Sequence, residues 1–270
     1  MKKISLLFIV AISIIATSCK SGSDTDIKII TVNNAEELIQ ALGNDRTIIL
    51  NNNEGIYFLT EAIKALVEAG FLIHSSDAPE VESAIRAFGT PGSCELDIFN
   101  IENLTIIGAD ENNYTKIYAS PSYVDVLAFT SCTGITLENL ELGHYPEKGE
   151  CDGAVLGLYD CDRIIINNCE LFGCGITGIQ AVGSKNAKVN YSTIRDCTFS
   201  NISLYDCENF HFYKCKLISE NDFICYDSKN ISFEQCVVPD IVSGDMSFIE
   251  CEYFYWLEDE GCGDDDLEKD

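Results

Sequence analysis

From Leu96 to Val238 apolar and polar residues alternate in short runs, and the runs recur. Six stretches share one frame: two alternating apolar positions, a Cys, Ser or Ile, two polar or small residues, then two more alternating apolar positions. They read LDIFNIENLTI, LAFTSCTGITL, LGLYDCDRIII, IQAVGSKNAKV, ISLYDCENFHF and FICYDSKNISF. Aligned on the apolar residue after the polar pair (Leu104, Ile135, Ile164, Ala187, Phe210, Ile231), they fall 31, 29, 23, 23 and 21 residues apart. A period just above 20, with two-residue alternation inside each unit, predicts short strands in a repeat architecture. Leucine-rich repeats have a similar period, but their leucine–asparagine consensus is absent.

The third unit shows how one repeat folds. Leu156 and Leu158 point inward on a first strand, Cys161 fills a corner, Ile164 and Ile166 point inward on a second strand, and Cys169 and Leu171 on a third. The same offsets give Leu127, Phe129, Cys132, Ile135, Leu137, Leu140 and Leu142 one unit earlier. One unit later they give Ile179, Ala181, Ser184, Ala187, Val189, Ser192 and Ile194. Three strands per turn, each lying on its copy in the next, predict an all-β fold, a single-stranded parallel β-helix whose coils rise by about 4.8 Å. Each coil then supplies the long crossover that parallel strands need.

This spacing resembles the right-handed parallel β-helix family that includes the pectate lyases. The resemblance covers Leu96 to Val238. The earlier stretch VNNAEELIQALGNDRTIIL, Val32 to Leu50, is similar to the way these folds begin. Ala35, Leu38, Ile39 and Leu42 share one helical face, with Asn33 or Asn34 as the cap, so an N-terminal capping helix is expected over the first coil. Arg46 to Leu50 is then expected as the first strand and Glu61 to Glu68 as a second helical stretch. The aromatic segment Phe248 to Leu257 is expected to form the last coil or a C-terminal cap.

The N-terminus lies outside this pattern. Lys2 and Lys3 precede an apolar run, Ile4 to Ile15, and Ala16-Thr17-Ser18-Cys19 sets small residues before a cysteine. That resembles a bacterial lipobox, which implies cleavage before Cys19 and lipid attachment to its thiol. An acyl chain would then hold the protein at the bacterial outer membrane or cell surface, with the lipid as its sole membrane contact. The expected organisation is a signal peptide over 1–18, a tether over 19–30, the β-helix domain over 31–257 and an acidic tail over 258–270.

The chain has 17 basic and 44 acidic residues, a formal charge of −27. Removing Lys2 and Lys3 with the signal leaves 15 − 44 = −29. Such a surface repels nucleic acid and other polyanions. The fourteen cysteines would ordinarily suggest disulfides outside the cytoplasm. Two columns argue otherwise: Cys132, Cys161 and Cys207, and Cys169, Cys215 and Cys236. Neighbours at a strand spacing of nearly 5 Å sit too far apart for a bridge, which wants Cβ atoms at about 3.8 Å. These are expected as buried thiols behaving as small hydrophobes. Cys174 and Cys197 share a looser turn and are the candidate disulfide, with Cys151 as a competitor for Cys174.

Candidate chemistry gathers at the 143–153 loop, Gly143 to Gly153, where three glycines and a proline shape an irregular turn. His144 shares an offset with Gly173 and Asp196. With Glu147, Glu150 and Asp152 these residues form a candidate acid–base site. No HExxH or paired CxxC motif is present, so no resident metal is assigned. Calcium enters only as a bridge to a polyanionic substrate. On the first-strand face Tyr159, Tyr205 and Tyr226 form a row interrupted by Val182, with Gln180 beside it. Tyrosines with nearby amides suit sugar rings as ligands, and they equally suit a surface ladder of a sheet. The aspartate pairs and Gly-His-Gly motif of polygalacturonases are absent, as is a basic cleft. Three functions stay open: a surface-anchored protein that binds glycan or another cell-surface ligand without catalysis, a polysaccharide-active lyase or glycoside hydrolase, and a structural or adhesive module.

Overall fold

The computed structural model describes residues 26–51, 55–72, 85–90, 93–120, 124–145, 153–173, 176–218, 223–239 and 245–254. The second expected unit begins with Leu127. Strands Leu127–Thr130, Thr133–Glu138 and Leu140–His144 lie in three different sheets. The next circuit, Leu156–Tyr159, Asp162–Asn167 and Glu170–Phe172, returns to the same three sheets in the same order. The registers follow the alignment of the frames: Leu127 faces Leu156, which faces Ile179, and Ile135 faces Ile164, which faces Ala187. Continued along the chain, this gives sheets of nine, eight and seven strands among the described residues. There, all pairings are parallel except that of Ile85–Thr90 with Ser93–Phe99, an antiparallel edge on the seven-stranded sheet. The architecture is predominantly β, with two helices among the described residues.

The core is the space between the sheets. The inward residues expected for the second, third and fourth units are all buried. Aliphatic layers give way in the last circuits to stacked rings, Phe212–Phe233 at 4.6 Å and Phe233–Phe248 at 5.0 Å between centroids. Each large side chain so buried stabilises the fold by roughly 1.5–3 kcal/mol.

The frame's polar pair has a conformational cause. Asn103, Arg163, Asn186, Asn209 and Asn230, each just before an inward residue, have φ between 55° and 59°. Two further columns behave alike. Asn100, Ser131, Asp160, Asp206 and Asp227 precede one corner, and Asn139, Asn168, Tyr191, Lys214 and Gln235 precede another. The chain therefore turns each corner through a left-handed residue, where Asn and Asp are tolerated best after Gly. The first column is also cross-linked: Asn186 donates to Asp162 (2.7 Å), Asn209 to Asn186 (3.0 Å) and Asn230 to Asn209 (2.9 Å).

The column cysteines are free and buried, as expected, but they do more than fill space. Cys161 Sγ donates to Phe129 O (3.3 Å), Cys215 Sγ to Val189 O (3.2 Å) and Cys236 Sγ to Phe212 O (3.4 Å). Serine at the same offset does the same job, Ser184 Oγ donating to Leu158 O (3.0 Å) and accepting from Cys161 N (3.0 Å). The corner position selects a small donor–acceptor because the bend leaves backbone groups without ladder partners.

At the N-terminal end the first strand is Lys28–Val32, paired with Arg46–Leu50. It begins inside the stretch expected as tether, and it displaces Arg46–Leu50 as first strand. The reason is the alternation of Ile30 and Val32, which are buried, with Ile29 and Thr31, which are exposed. Helix α1 (Ala35–Ala41) therefore follows the first strand. Asn34 caps it by accepting from Glu37 N (2.8 Å), and Ala35, Leu38, Ile39 and Ala41 are buried. Helix α2 (Leu59–Glu68) buries Leu59, Ala62, Ile63 and Leu66 and lies against α1. Residues 1–25, Cys19 among them, and 255–270 lie outside the described residues. Among the described residues no helix is long and apolar enough to cross a membrane.

Candidate functional site

The outward face of the seven-stranded sheet carries its chemistry at the N-terminal end. Strand Ser93–Phe99 pairs with Leu127–Thr130 so that Asp97 lies beside Ala128, and the register carries the column on to Gly157 and Gln180. Two small residues in the middle of the column leave a gap, and Asp125, from the turn before Leu127–Thr130, fills it. Its carboxylate lies where a Cβ on Gly157 would stand: Oδ2 would be 2.2 Å from that carbon. Glycine inside a strand here serves the close approach of a neighbouring group.

Three carboxylates meet in this gap. Asp125 Oδ1 accepts from Ala154 N (2.7 Å) and Oδ2 from Tyr159 Oη (2.9 Å). Glu95 Oε2 accepts from the backbone N–H of Asp125 (3.0 Å). Asp97 Oδ1 accepts from Thr130 Oγ1 (3.1 Å). Asp97 and Asp125 are each only 7% exposed. Burial disfavours the charged form of a carboxyl, and neighbouring like charges disfavour it further. Glu95 is accordingly pushed up to about 7, first by burial and then by Asp125 and Asp97. Asp125 is raised as well, chiefly by burial, with the bonds from Ala154 and Tyr159 acting against it. The Tyr159 hydroxyl is held firmly protonated by burial and by Asp125. The arrangement can present a proton from Glu95 near neutral pH, and an anchored carboxylate beside it.

Among the described residues no group of three or more His, Cys, Asp or Glu side chains is arranged to hold a metal.

The residues expected at the 143–153 loop fare differently. His144 ends a strand rather than lying in a loop, and it is 2% exposed. Its Nε2 bonds to Val124 O (2.6 Å). A carbonyl only accepts, so Nε2 carries the proton. Burial lowers the imidazole's basicity, and Nδ1 has no hydrogen-bond partner. His144 is thus a neutral core histidine, not a solvent-facing acid or base. The strand continued inward because Leu140, Leu142 and His144 keep one alternation. Asp196 takes a left-handed corner and pairs with Arg195, away from the carboxylate gap. Glu147, Glu150 and Asp152 lie outside the described residues, and so do Cys174 and Cys151. Cys197 is buried and donates Sγ to Arg195 O (3.5 Å).

The tyrosine row is brought together in part. Tyr159, Val182, Tyr205 and Tyr226 are in register. Tyr205 and Tyr226 are exposed, with ring centroids 6.4 Å apart, whereas Tyr159 turns to Asp125. Gln180 lies between Gly157 and Ser203. The sequence reading missed the carboxylates, although the signal was there for one: Asp97 shares the offset of Gln180 and Ser203. Glu95 lies two residues earlier on the same face, and Asp125 stands before its frame and has no repeat signal.

A shallow groove of about 300 Å³ lies on a different face, the nine-stranded sheet, between Asn186, Lys188, Asn209, His211, Asn230 and Ser232. Its amides bond one another and His211 bonds Ser232 (2.9 Å), so its polar atoms are largely engaged in holding the fold.

No protein-family model and no curated protein matches the chain. Among solved structures, one from Parabacteroides merdae ATCC 43184, provisionally described as a glycosyl hydrolase, matches with a TM-score of 0.43 and 13% identity. The match covers 81% of this chain and 100% of that one.

Proposed function

We propose that this chain is a right-handed parallel β-helix of the pectate-lyase-like kind, carried as a lipoprotein on the bacterial surface, that binds polysaccharide across the seven-stranded sheet and cleaves it there. The observation that carries the reading is the meeting of Glu95, Asp97 and Asp125 at Tyr159, with Glu95 protonated near neutral pH. Paired carboxylates in which one is held protonated are what glycoside cleavage requires. Glu95 gives its proton to the glycosidic oxygen as the C–O bond breaks. Asp97 takes a proton from the attacking water, whose oxygen bonds to the sugar carbon. Asp125 is a positioning residue, fixed by Tyr159 and Ala154 and holding Glu95 through its backbone N–H. The outward tyrosines Tyr205 and Tyr226 extend the face along the same sheet. The proposed right-handed winding is supported by the rule that parallel crossovers are right-handed in about 98% of cases. Anchoring rests on the lipobox-like Ala16-Thr17-Ser18-Cys19, and the acidic surface speaks against nucleic acid as a partner.

The test is a reducing-end assay on the purified full chain in detergent, against neutral and acidic polysaccharides, with and without calcium. Turnover is expected to fall above about pH 7 and to vanish in Glu95→Gln and Asp97→Asn. Turnover unaffected by either change sinks the assignment. A second reading, binding without cleavage, is favoured by the burial of Asp97 and Asp125 and the full hydrogen bonding of Asp125. Binding without release of reducing ends would decide for it.

A further inference from the structure

The eight-stranded sheet carries a feature that this function does not use. Its outward column runs Phe58, Tyr118, Gly143, Phe172, Arg195 by register. Aromatic residues occupy three of its first four places, and a fourth ring, Tyr145, joins them from just past the strand Leu140–His144. Tyr145 and Tyr118 stack with centroids 5.8 Å apart and planes within 6°. Phe58 stands edge-on to both, at 5.6 and 5.9 Å. Phe172 closes the other side of Tyr118 at 5.6 Å. Backbone contacts hold the corner open: Tyr145 N donates to Ala119 O (3.0 Å). A Cβ on Gly143 would come within 2.4 Å of the Phe172 ring, so the strand gives up a side chain to let the rings close.

The cluster is not merely interior packing. Phe58 is 38% exposed and Tyr145 51%, while Tyr118 beneath them is 6% exposed, so two of the four rings face solvent. Contiguous exposed apolar side chains mark a surface available to a ligand. The polar rim is already neutralised from within. Arg195 lies over Phe172 at 4.8 Å and pairs with Glu170 at 2.5 Å and with Asp196. Glu141 accepts from the Tyr118 hydroxyl and lies 3.9 Å from Lys116. The rim thus offers many donors and acceptors with almost no net charge. An ionic ligand gains little there, because the charges are already paired, while a carboxylate holding one partner still has lone pairs open to a ligand hydroxyl. A pyranose ring suits both features, with a flat face of C–H groups for the exposed rings and hydroxyls for the rim.

We propose that Phe58, Tyr118, Tyr145 and Phe172 form a second polysaccharide contact, a stacking platform for a neutral sugar unit, on a different sheet from the carboxylates. It rests on carbohydrate being the ligand, and not on the role of Glu95 in cleavage. It would hold a polymer chain to the protein while another stretch reaches the Glu95 face.

The test is affinity electrophoresis of the full chain in detergent, in gels containing a soluble β-glucan, a xylan or a mannan. At least one neutral polymer is expected to retard the wild type. Phe58→Ala and Tyr145→Ala are expected to weaken retardation by roughly tenfold, the scale of one lost aromatic contact. Phe58→Leu keeps the apolar packing without the ring, so it separates stacking from folding and is expected to weaken binding as well. Glu95→Gln should leave retardation intact even where it abolishes reducing-end release, which keeps failure of the platform distinct from failure of the catalytic reading. The platform is overturned if no neutral polymer retards the protein, or if Phe58→Ala and Tyr145→Ala bind like wild type. It is also overturned if the wild type is a dimer that Phe58→Ala dissociates, since the rings would then be a subunit interface.

Discussion

Replacing Glu95 by Gln should stabilise the protein in alkali while leaving it unchanged in acid. The Glu95 carboxyl titrates at about 7 in the fold against an ordinary value of 4.5. Between those values the native state keeps a proton that the unfolded chain has released. A state that binds more protons is favoured by acid, so this group's contribution is complete below about pH 4.5 and is lost as pH rises through about 7. At about 1.4 kcal/mol per pH unit, the gap sets a ceiling of about 3.4 kcal/mol. The side chain keeps partial exposure, and solvent screening brings the expected effect nearer 2 kcal/mol. Glutamine can still accept the Asp125 N–H, so the variant removes the ionisation and little else. Urea unfolding followed by circular dichroism at pH 4.5, 6, 7.5 and 8.5 reads the effect. Wild type should lose about 2 kcal/mol across the series and Glu95→Gln less than half of that, with the two converging in acid. Equal slopes for both proteins, or a variant less stable than wild type at pH 8.5, would refute the claim that burial and its acidic neighbours hold Glu95 protonated.

The corner columns make two further predictions. Cys161→Ser should cost under about 1 kcal/mol, since Ser184 does the same work one circuit on, whereas Cys161→Val should cost about 1–3 kcal/mol by removing the donor to Phe129 O; comparable urea midpoints for the two would remove the hydrogen-bonding role. Asn209→Gly should cost about 1 kcal/mol by breaking the amide ladder alone, and Asn209→Ala about 1–2 kcal/mol more through its left-handed backbone; thermal unfolding that ranks alanine above glycine would contradict the strain argument.

The interior was legible in the sequence because a repeat applies one physical demand over and over. Ile135, Ile164, Ala187, Phe210 and Ile231 all answer to the same inward position, so each confirms the phase of the others. The small corner residues were legible for the same reason, although their hydrogen bonding was not, because size alone would also have selected alanine. The site obeys no such repetition. Asp97 follows the frame and could be placed by counting, but what matters there is how little side chain stands at Ala128 and Gly157, which alternation does not register. Asp125 enters that space from a turn outside the frame, and its effect on Glu95 depends on burial that no periodicity encodes. His144 shows the opposite case, a residue placed on a strand where a loop was expected. Gly143 and Pro146 lie close to it in sequence, which suggested a loop, yet it stands on the inward phase of Leu140 and Leu142, and the core took it. A residue's place in the repeat therefore outweighed the composition around it. The same rule makes Gly143 informative: an outward strand position without a side chain leaves room for the Phe172 ring to close over the strand.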